Sequence, residues 1–227
     1  MKKIAVLVFA ISVAAPAFAQ VKMGFKFSPS IAFNSTVTEG AYDNVSPNGA
    51  SVRFTAGPIA DFFFADNYAF HTGFWYTLKR TAVTGRIANG TQTKDVTSLY
   101  NIQYLQVPVA FKFYTNEVTT DMRIYFLVGG TIDVKIAEKP KDKNNNWLYA
   151  RSQADDKKAF KPGDFGLLLG AGGELVMGTN TALFFGLSYN RGLTNALGGA
   201  TDDFGSRISN SLKVRNSLLS LDMGVKF

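Results

Sequence analysis

Eight stretches of this chain alternate apolar with other residues at period two, and the middle of every apolar side is free of charge. Period two sends successive side chains to opposite faces of a strand. The segments are Val21–Asn34, Gly49–Phe64, Tyr68–Arg80, Leu99–Tyr114, Met122–Ile136, Asp164–Met177, Thr181–Arg191 and Leu212–Phe227. The fourth sets Leu105, Val107, Val109, Phe111 and Phe113 against Tyr104, Gln106, Pro108, Ala110, Lys112 and Tyr114. Charges enter the apolar face only where strands run into long connections, at Arg80, Arg191, Lys213 and Arg215. A Lys or Arg facing lipid costs roughly 2–4 kcal/mol at the bilayer midplane and little at its rim. A membrane imposes that distribution. The pattern therefore predicts an all-β, eight-stranded, antiparallel up-and-down transmembrane barrel.

Length and loop order agree with this. Most segments exceed the nine to eleven residues that a tilted strand needs to cross. No later segment holds an apolar 3.6-residue period, and only helices and closed barrels satisfy every backbone group in lipid. Connections alternate between short (Ala65–Asn67, Thr115–Asp121, Gly178–Asn180) and long and polar (Ser35–Asn48, Thr81–Ser98, Ala137–Gly163, Gly192–Ser211). Outer-membrane barrels keep short turns on the periplasmic side and long loops outside. An even strand number then places both termini in the periplasm. Phe25, Phe27, Phe62, Phe64, Tyr68, Phe70, Phe111 and Phe113 recur near strand ends, as an interfacial girdle requires. A soluble lipocalin-like barrel or sandwich, with its apolar face inside, explains neither the strand lengths nor this girdle.

The second face predicts the interior. It carries Lys22, Lys26, Arg53, Asp61, Lys79, Lys112, Arg123, Asp133, Lys135, Glu174, Asp222 and Lys226, with nine of the strand glycines. An eight-stranded barrel is only just wide enough inside for side chains, so the lumen is expected to be filled and polar. Asp61, Glu174 and Asp222 are expected to form an ion network with Lys26, Lys112 and Arg123, with Tyr104, Tyr114 and Tyr125 as further partners. Buried ions need such partners to offset desolvation.

The N-terminus reads as an export signal. Lys2 and Lys3 precede the apolar run Ile4–Ala15, Pro16 breaks it, and Ala17-Phe18-Ala19 supplies the small-x-small cleavage pattern. Cleavage after Ala19 would leave residues 20–227 as a single barrel domain. An uncleaved anchor is excluded by length, because the run is far short of the roughly twenty residues a crossing needs. At the other end Leu219, Leu221, Met223, Val225 and Phe227 occupy every second position. That pattern resembles the signal by which the barrel-assembly machinery recognises outer-membrane proteins.

Little else points to chemistry. Without cysteine there is neither a disulfide framework nor a thiolate metal site, and no cofactor is expected. The basic excess is spread along the chain, with no basic block suited to nucleic acid. His71 is the only histidine, and a catalytic role would need a nucleophile and an orienting carboxylate beside it. Its place, inside and near the periplasmic end, predicts a hydrogen-bonded lumen residue instead. The third long loop opposes Lys139, Lys141, Lys143, Arg151, Lys157, Lys158 and Lys161 to Glu138, Asp142, Asp155 and Asp156, around Trp147 and Tyr149. It reads either as a solvated loop with its aromatics tucked on the rim or as a contact for phosphorylated lipopolysaccharide or a partner.

Several stretches carry a family resemblance: Gly24–Ser30 (GFKFSPS), Tyr104–Phe113 (YLQVPVAFKF), Asp164–Leu175 (DFGLLLGAGGEL), Gly186–Asn195 (GLSYNRGLTN) and the closing LDMGVKF. Together they resemble the PorT-type outer-membrane barrels of Bacteroidetes, of OmpA-like architecture. The resemblance implies a non-enzymatic envelope protein, with some family members linked to secretion. It also implies outer-membrane lipid and lipopolysaccharide as surroundings, and periplasmic chaperones and the barrel-assembly machinery as partners in biogenesis. A narrow pore or transporter component, and an outer-membrane hydrolase or acyltransferase, are the alternatives.

Overall fold

The computed structural model describes residues 20–38, 45–89, 92–178, 180–200 and 207–227. The expected cleavage residues Ala17 and Ala19 lie outside these, as do parts of the first, second and fourth long loops. In chain order the elements are β1 (Gln20–Thr38), β2 (Ser46–Pro47), β3 (Ser51–Ala65), β4 (Tyr68–Gly73), β5 (Trp75–Asn89), β6 (Gln92–Thr119) and β7 (Met122–Pro140). Then come α1 (Trp147–Ala154), β8 (Gly163–Val176), β9 (Ala182–Gly192), α2 (Ile208–Ser211) and β10 (Leu212–Lys226).

These strands form eight staves. β4 and β5 are one stave, since both keep a single register with β3 and with β6. The break falls at Phe74, opposite Pro58. Phe74 donates to the Pro58 carbonyl at 3.1 Å, but proline has no N–H to return. β2 is a two-residue ribbon that pairs with Val83 and Thr84 of β5. The sheet closes because β1 pairs antiparallel with both β3 and β10. From Met23, partners can be followed through Ala60, Thr72, Val109, Gly130, Leu167, Arg191 and Ser217, returning to Phe33 ten residues further along β1. A stagger of ten over eight staves tilts the strands by about 40°, within the usual range for barrels.

The two faces divide as the alternation requires. Phe25, Phe27, Phe126, Val128, Leu169, Phe185, Leu187, Leu219 and Leu221 are exposed, while Lys26, Asp61, Lys79, Lys112, Asp133, Glu174, Asp222 and Lys226 are buried. Apolar side chains thus point outward from a charged interior, the reverse of a soluble barrel. On the outer wall Phe64, Tyr68, Phe70, Phe111 and Phe113 meet ring to ring at 5.8–6.4 Å, joining β3, β4 and β6.

The structure corrects several sequence boundaries. Thr81–Ser98 is not a loop: β5 and β6 stay paired from Thr81↔Tyr100 to Asn89↔Gln92. Thr84 and Thr97 face each other with their hydroxyls 2.9 Å apart. Threonine favours strands while looking polar, so a ladder that has left the lipid reads as a loop. The turn expected over Thr115–Asp121 shrinks likewise, because β6 runs to Thr119 and β7 starts at Met122, with Asp121 at φ 62°. The third long loop begins only after Pro140 and contains α1. Arg80, expected at an exposed rim, is 7% exposed, because the first loop returns across β5, with Asn48 donating to the Ala82 carbonyl at 2.9 Å.

Candidate functional site

The short-turn half of the lumen is organised around Lys226. Gly24 faces it across the β1–β10 seam, which leaves room for its stem to turn inward. Its Nζ lies 2.5 Å from Asp61 Oδ2 on β3 and 2.5 Å from Glu174 Oε2 on β8, and it donates to the Tyr114 hydroxyl at 2.9 Å. The same hydroxyl stands 3.1 and 3.0 Å from those two carboxylate oxygens. Lys112 reaches Asp61 at 3.4 Å while lying 3.9 Å from the centre of the Tyr125 ring. Arg123 and Lys22 approach Glu174 Oε1 at 3.6 and 3.9 Å. Asp61, Glu174 and Lys226 are fully buried, so each charge depends on the others for the solvation that water no longer gives.

Of the six residues expected to form one network, the structure brings four around this centre: Asp61, Lys112, Arg123 and Glu174. Lys26 and Asp222 form a separate pair at 3.0 Å, with the Lys26 ammonium 3.9 Å from the centre of the Trp75 ring. Lys226, the hub, stood on the inward face in the sequence without being assigned to the network. His71 Nδ1 lies 2.5 Å from Asp61 Oδ1, in a site 4% exposed. Glycine makes the space these groups occupy. A Cβ on either Gly172 or Gly186 would come within 2.6 Å of the Tyr125 hydroxyl, which crosses both.

A second charged belt lies nearer the long-loop end, and sequence reasoning missed it as a unit. Lys79 Nζ is 2.5 Å from Asp133 Oδ2 and 3.8 Å from Asp164 Oδ2. Gln106 donates to Asp133 Oδ1 at 2.7 Å, and the Thr194 hydroxyl donates to Asp164. Around it Asn190 donates to Thr131 at 3.0 Å, and Thr81 to Asn216 at 2.7 Å. The lower centre carries more bases than acids and this belt more acids than bases, so their excess charges are opposite.

Above the belt the loops build an apolar cap. Leu148, Phe160, Leu197, Ile208, Leu212 and Val214 are buried together with Tyr100 and Ile102, and Trp147 and Tyr149 pack against them half-buried. Asn146 caps α1 by accepting from the Tyr149 N–H at 3.0 Å, and the Leu148 N–H donates to Ser98 Oγ at 3.2 Å. Phe160 pairs with Leu197 in an isolated bridge and meets the Tyr100 ring edge-on at 5.0 Å. Glu138 accepts from the Ala159 N–H at 2.9 Å, and the Lys135 ammonium donates both to Glu138 and to the Phe160 carbonyl. Part of the third loop is therefore a folded lid, not a solvated run.

Among the described residues no group of three or more His, Cys, Asp or Glu side chains has metal-binding geometry. Leu219, Leu221, Met223 and Phe227 face outward and Val225 is half-buried. Phe227 extends the seam by exchanging two backbone hydrogen bonds with Met23, at 2.8 and 3.2 Å.

A sequence model for the outer membrane protein beta-barrel domain matches residues 18–198. The chain belongs to this family. It is an outer-membrane β-barrel protein, and its apolar wall is the surface that meets lipid. No curated protein sequence matches it. Among solved structures it is similar to the outer membrane protein OprG of Pseudomonas aeruginosa, at 13% identity and TM-score 0.49, over 91% of this chain and 95% of that one. It is similar to Neisserial surface protein A at 14% identity and TM-score 0.43, over 89% and 97% of the two chains. It is also similar to the outer membrane protease OmpT of Escherichia coli, at 10% identity and TM-score 0.39, over 91% and 96%.

Proposed function

We propose that this family member is a plugged, non-enzymatic scaffold of the outer membrane whose extracellular cap is its working surface. One observation carries the reading: Lys226 joins Asp61 and Glu174 across the full width of the lumen. A side chain tied to two opposite walls blocks the axis, and moving it would take the closest ammonium from two buried carboxylates. His71 is spent on Asp61 and buried, which supports a structural part for it. In this reading the long loops face outward and both termini the periplasm. The outer-face pattern ending on Phe227 serves recognition by the assembly machinery. Cleavage after Ala19 would free β1 to begin at Gln20, and the intact mass of protein purified from membranes checks this. The PorT resemblance makes an envelope or secretion assembly the narrower form of the role.

The test is conductance of the purified chain in planar bilayers. Silence at moderate voltage is expected. Stable single-channel currents would overturn the plug and restore the narrow pore.

A further inference from the structure

One side of α1 and the β5–β6 ladder enclose a groove of 410 Å³, a size common among small-molecule sites. Register sets its floor. Gly85 stands opposite Val96 across the two strands, and the Trp147 indole rests against Gly85, where a Cβ would come 3.3 Å from Nε1. Trp147 and Val96 are half-buried and line the groove. Three and seven places on from Trp147 stand Ala150 and Ala154, both exposed and both in the lining. Residues at that spacing share a helix face, so beyond the indole the face is a trough and not a ridge.

Amide groups close the near end. Asn144 and Asn145 are exposed on a turn that Asp142 holds, its Oδ1 accepting from their backbone N–H groups at 2.9 and 3.3 Å. Asn146 is 3% exposed, and its Oδ1 caps α1. Its Nδ2 is buried without a partner among the described residues. A buried donor left unpaired is costly, and an oxygen seated beside it would supply the acceptor. Arg151 also lines the groove.

This lining selects its ligand. A side-chain amide both donates and accepts, which matches a hydroxyl group that does the same. The face of an indole is negative, so it attracts the weakly positive C–H groups on the apolar side of a sugar ring. We propose that this groove binds an uncharged saccharide, with a pyranose ring on Trp147 and its hydroxyls on Asn144 and Asn145. The site deepens the reading of the cap as the working surface, and rests on it for facing outward. Such sugars occur both on the cell's own surface and in its surroundings.

The test uses the full chain folded in a polyoxyethylene detergent, which has no sugar headgroup, with binding read by calorimetry. The probes are maltotriose, triacetylchitotriose, polysaccharide released from native membranes by mild acid, and sorbitol as a hydroxyl-rich chain without a ring. The trough variant is Ala154→Trp. Its control, Gln153→Trp, puts the same ring on an exposed position outside the groove. Wild type should bind at least one saccharide with a Kd of about 0.1–10 mM, and sorbitol not measurably. Ala154→Trp should weaken binding about tenfold or more, and the control should stay within about twofold. Trp147→Leu should abolish binding; if it loses the folded band on an unheated gel, Ala154→Trp is read alone. Adding about 0.5 M salt should change the affinity less than twofold, because an uncharged ligand makes no ion pair. Binding of the released polysaccharide assigns the cell's own surface sugars; binding of the trisaccharides alone assigns a saccharide from the surroundings. No saturable binding, equal binding of sorbitol, equal losses in trough variant and control, or a several-fold loss in salt would overturn the site. Both ends are accessible in detergent, so none of these results bears on the plug, which fails on conductance. Nor do they bear on orientation, which protease cleavage of the third loop on intact cells checks.

Discussion

The two ends of the interior are closed by opposite chemistries. Toward the short turns the staves meet over buried ions, with Lys226, Asp61 and Glu174 in contact and Tyr114 between them. Toward the long loops they are covered by Leu148, Phe160, Leu197 and Ile208, an ordinary apolar core that stands clear of the membrane. The solvent outside explains the contrast. Where lipid surrounds the wall, the outer face takes the apolar residues, and the barrel's inside holds the polar ones. Where water surrounds the loops, apolar residues return to the inside. A single chain thus inverts its inside and outside along one axis.

If that is correct, substitutions at the two ends should fail in different ways. Lys226→Met should have the largest effect. It takes the closest ammonium from two buried carboxylates, at a cost of about 3–5 kcal/mol. Urea unfolding in micelles, read by tryptophan fluorescence, should show a lower midpoint for the whole barrel. Lys26→Met strands only Asp222 and should shift the midpoint less; an equal shift would remove Lys226 as the hub. Leu148→Ala comes next, at about 2–4 kcal/mol, but confined to the cap. Protease should cut the third loop faster while the folded barrel keeps its mobility on an unheated gel. Global unfolding at the Lys226→Met midpoint would show that cap and lumen are one cooperative unit. Smallest is Asn146→Ala, which removes the α1 cap for about 1 kcal/mol. It should raise loop cleavage slightly and leave the urea midpoint unmoved.

The same division governs what could be read from the sequence. Inside the membrane each position has a fixed environment, so period two alone assigned the apolar wall and eight of the buried charges, though it passed over Asp164, which the structure also buries. The tilt and the hub were not legible. Lys226 meets Asp61 and Glu174 only because of the register across the seam, with Lys226 opposite Gly24 and Asp61 opposite Lys22, and alternation carries no register. Above the membrane the signal fails for another reason. Leu148, Phe160, Leu197 and Ile208 are far apart in the chain, recur at no period, and look like isolated apolar residues in polar loops. Threonines at 81, 84 and 97 hid the β5–β6 ladder because strands in water need no apolar face.

The position of Lys226 on β10 also bears on the order of events in assembly. β3 and β8 carry Asp61 and Glu174 to the lumen, but their shared counterion arrives only when β10 docks against β1. Until then Asp61 has Lys112 and Glu174 has Arg123, both at longer range than the 2.5 Å contacts that Lys226 brings. Closing the seam and completing the ion network are therefore a single step, and a barrel with β10 in the wrong register, its ammonium displaced, would leave both acids with only their more distant partners.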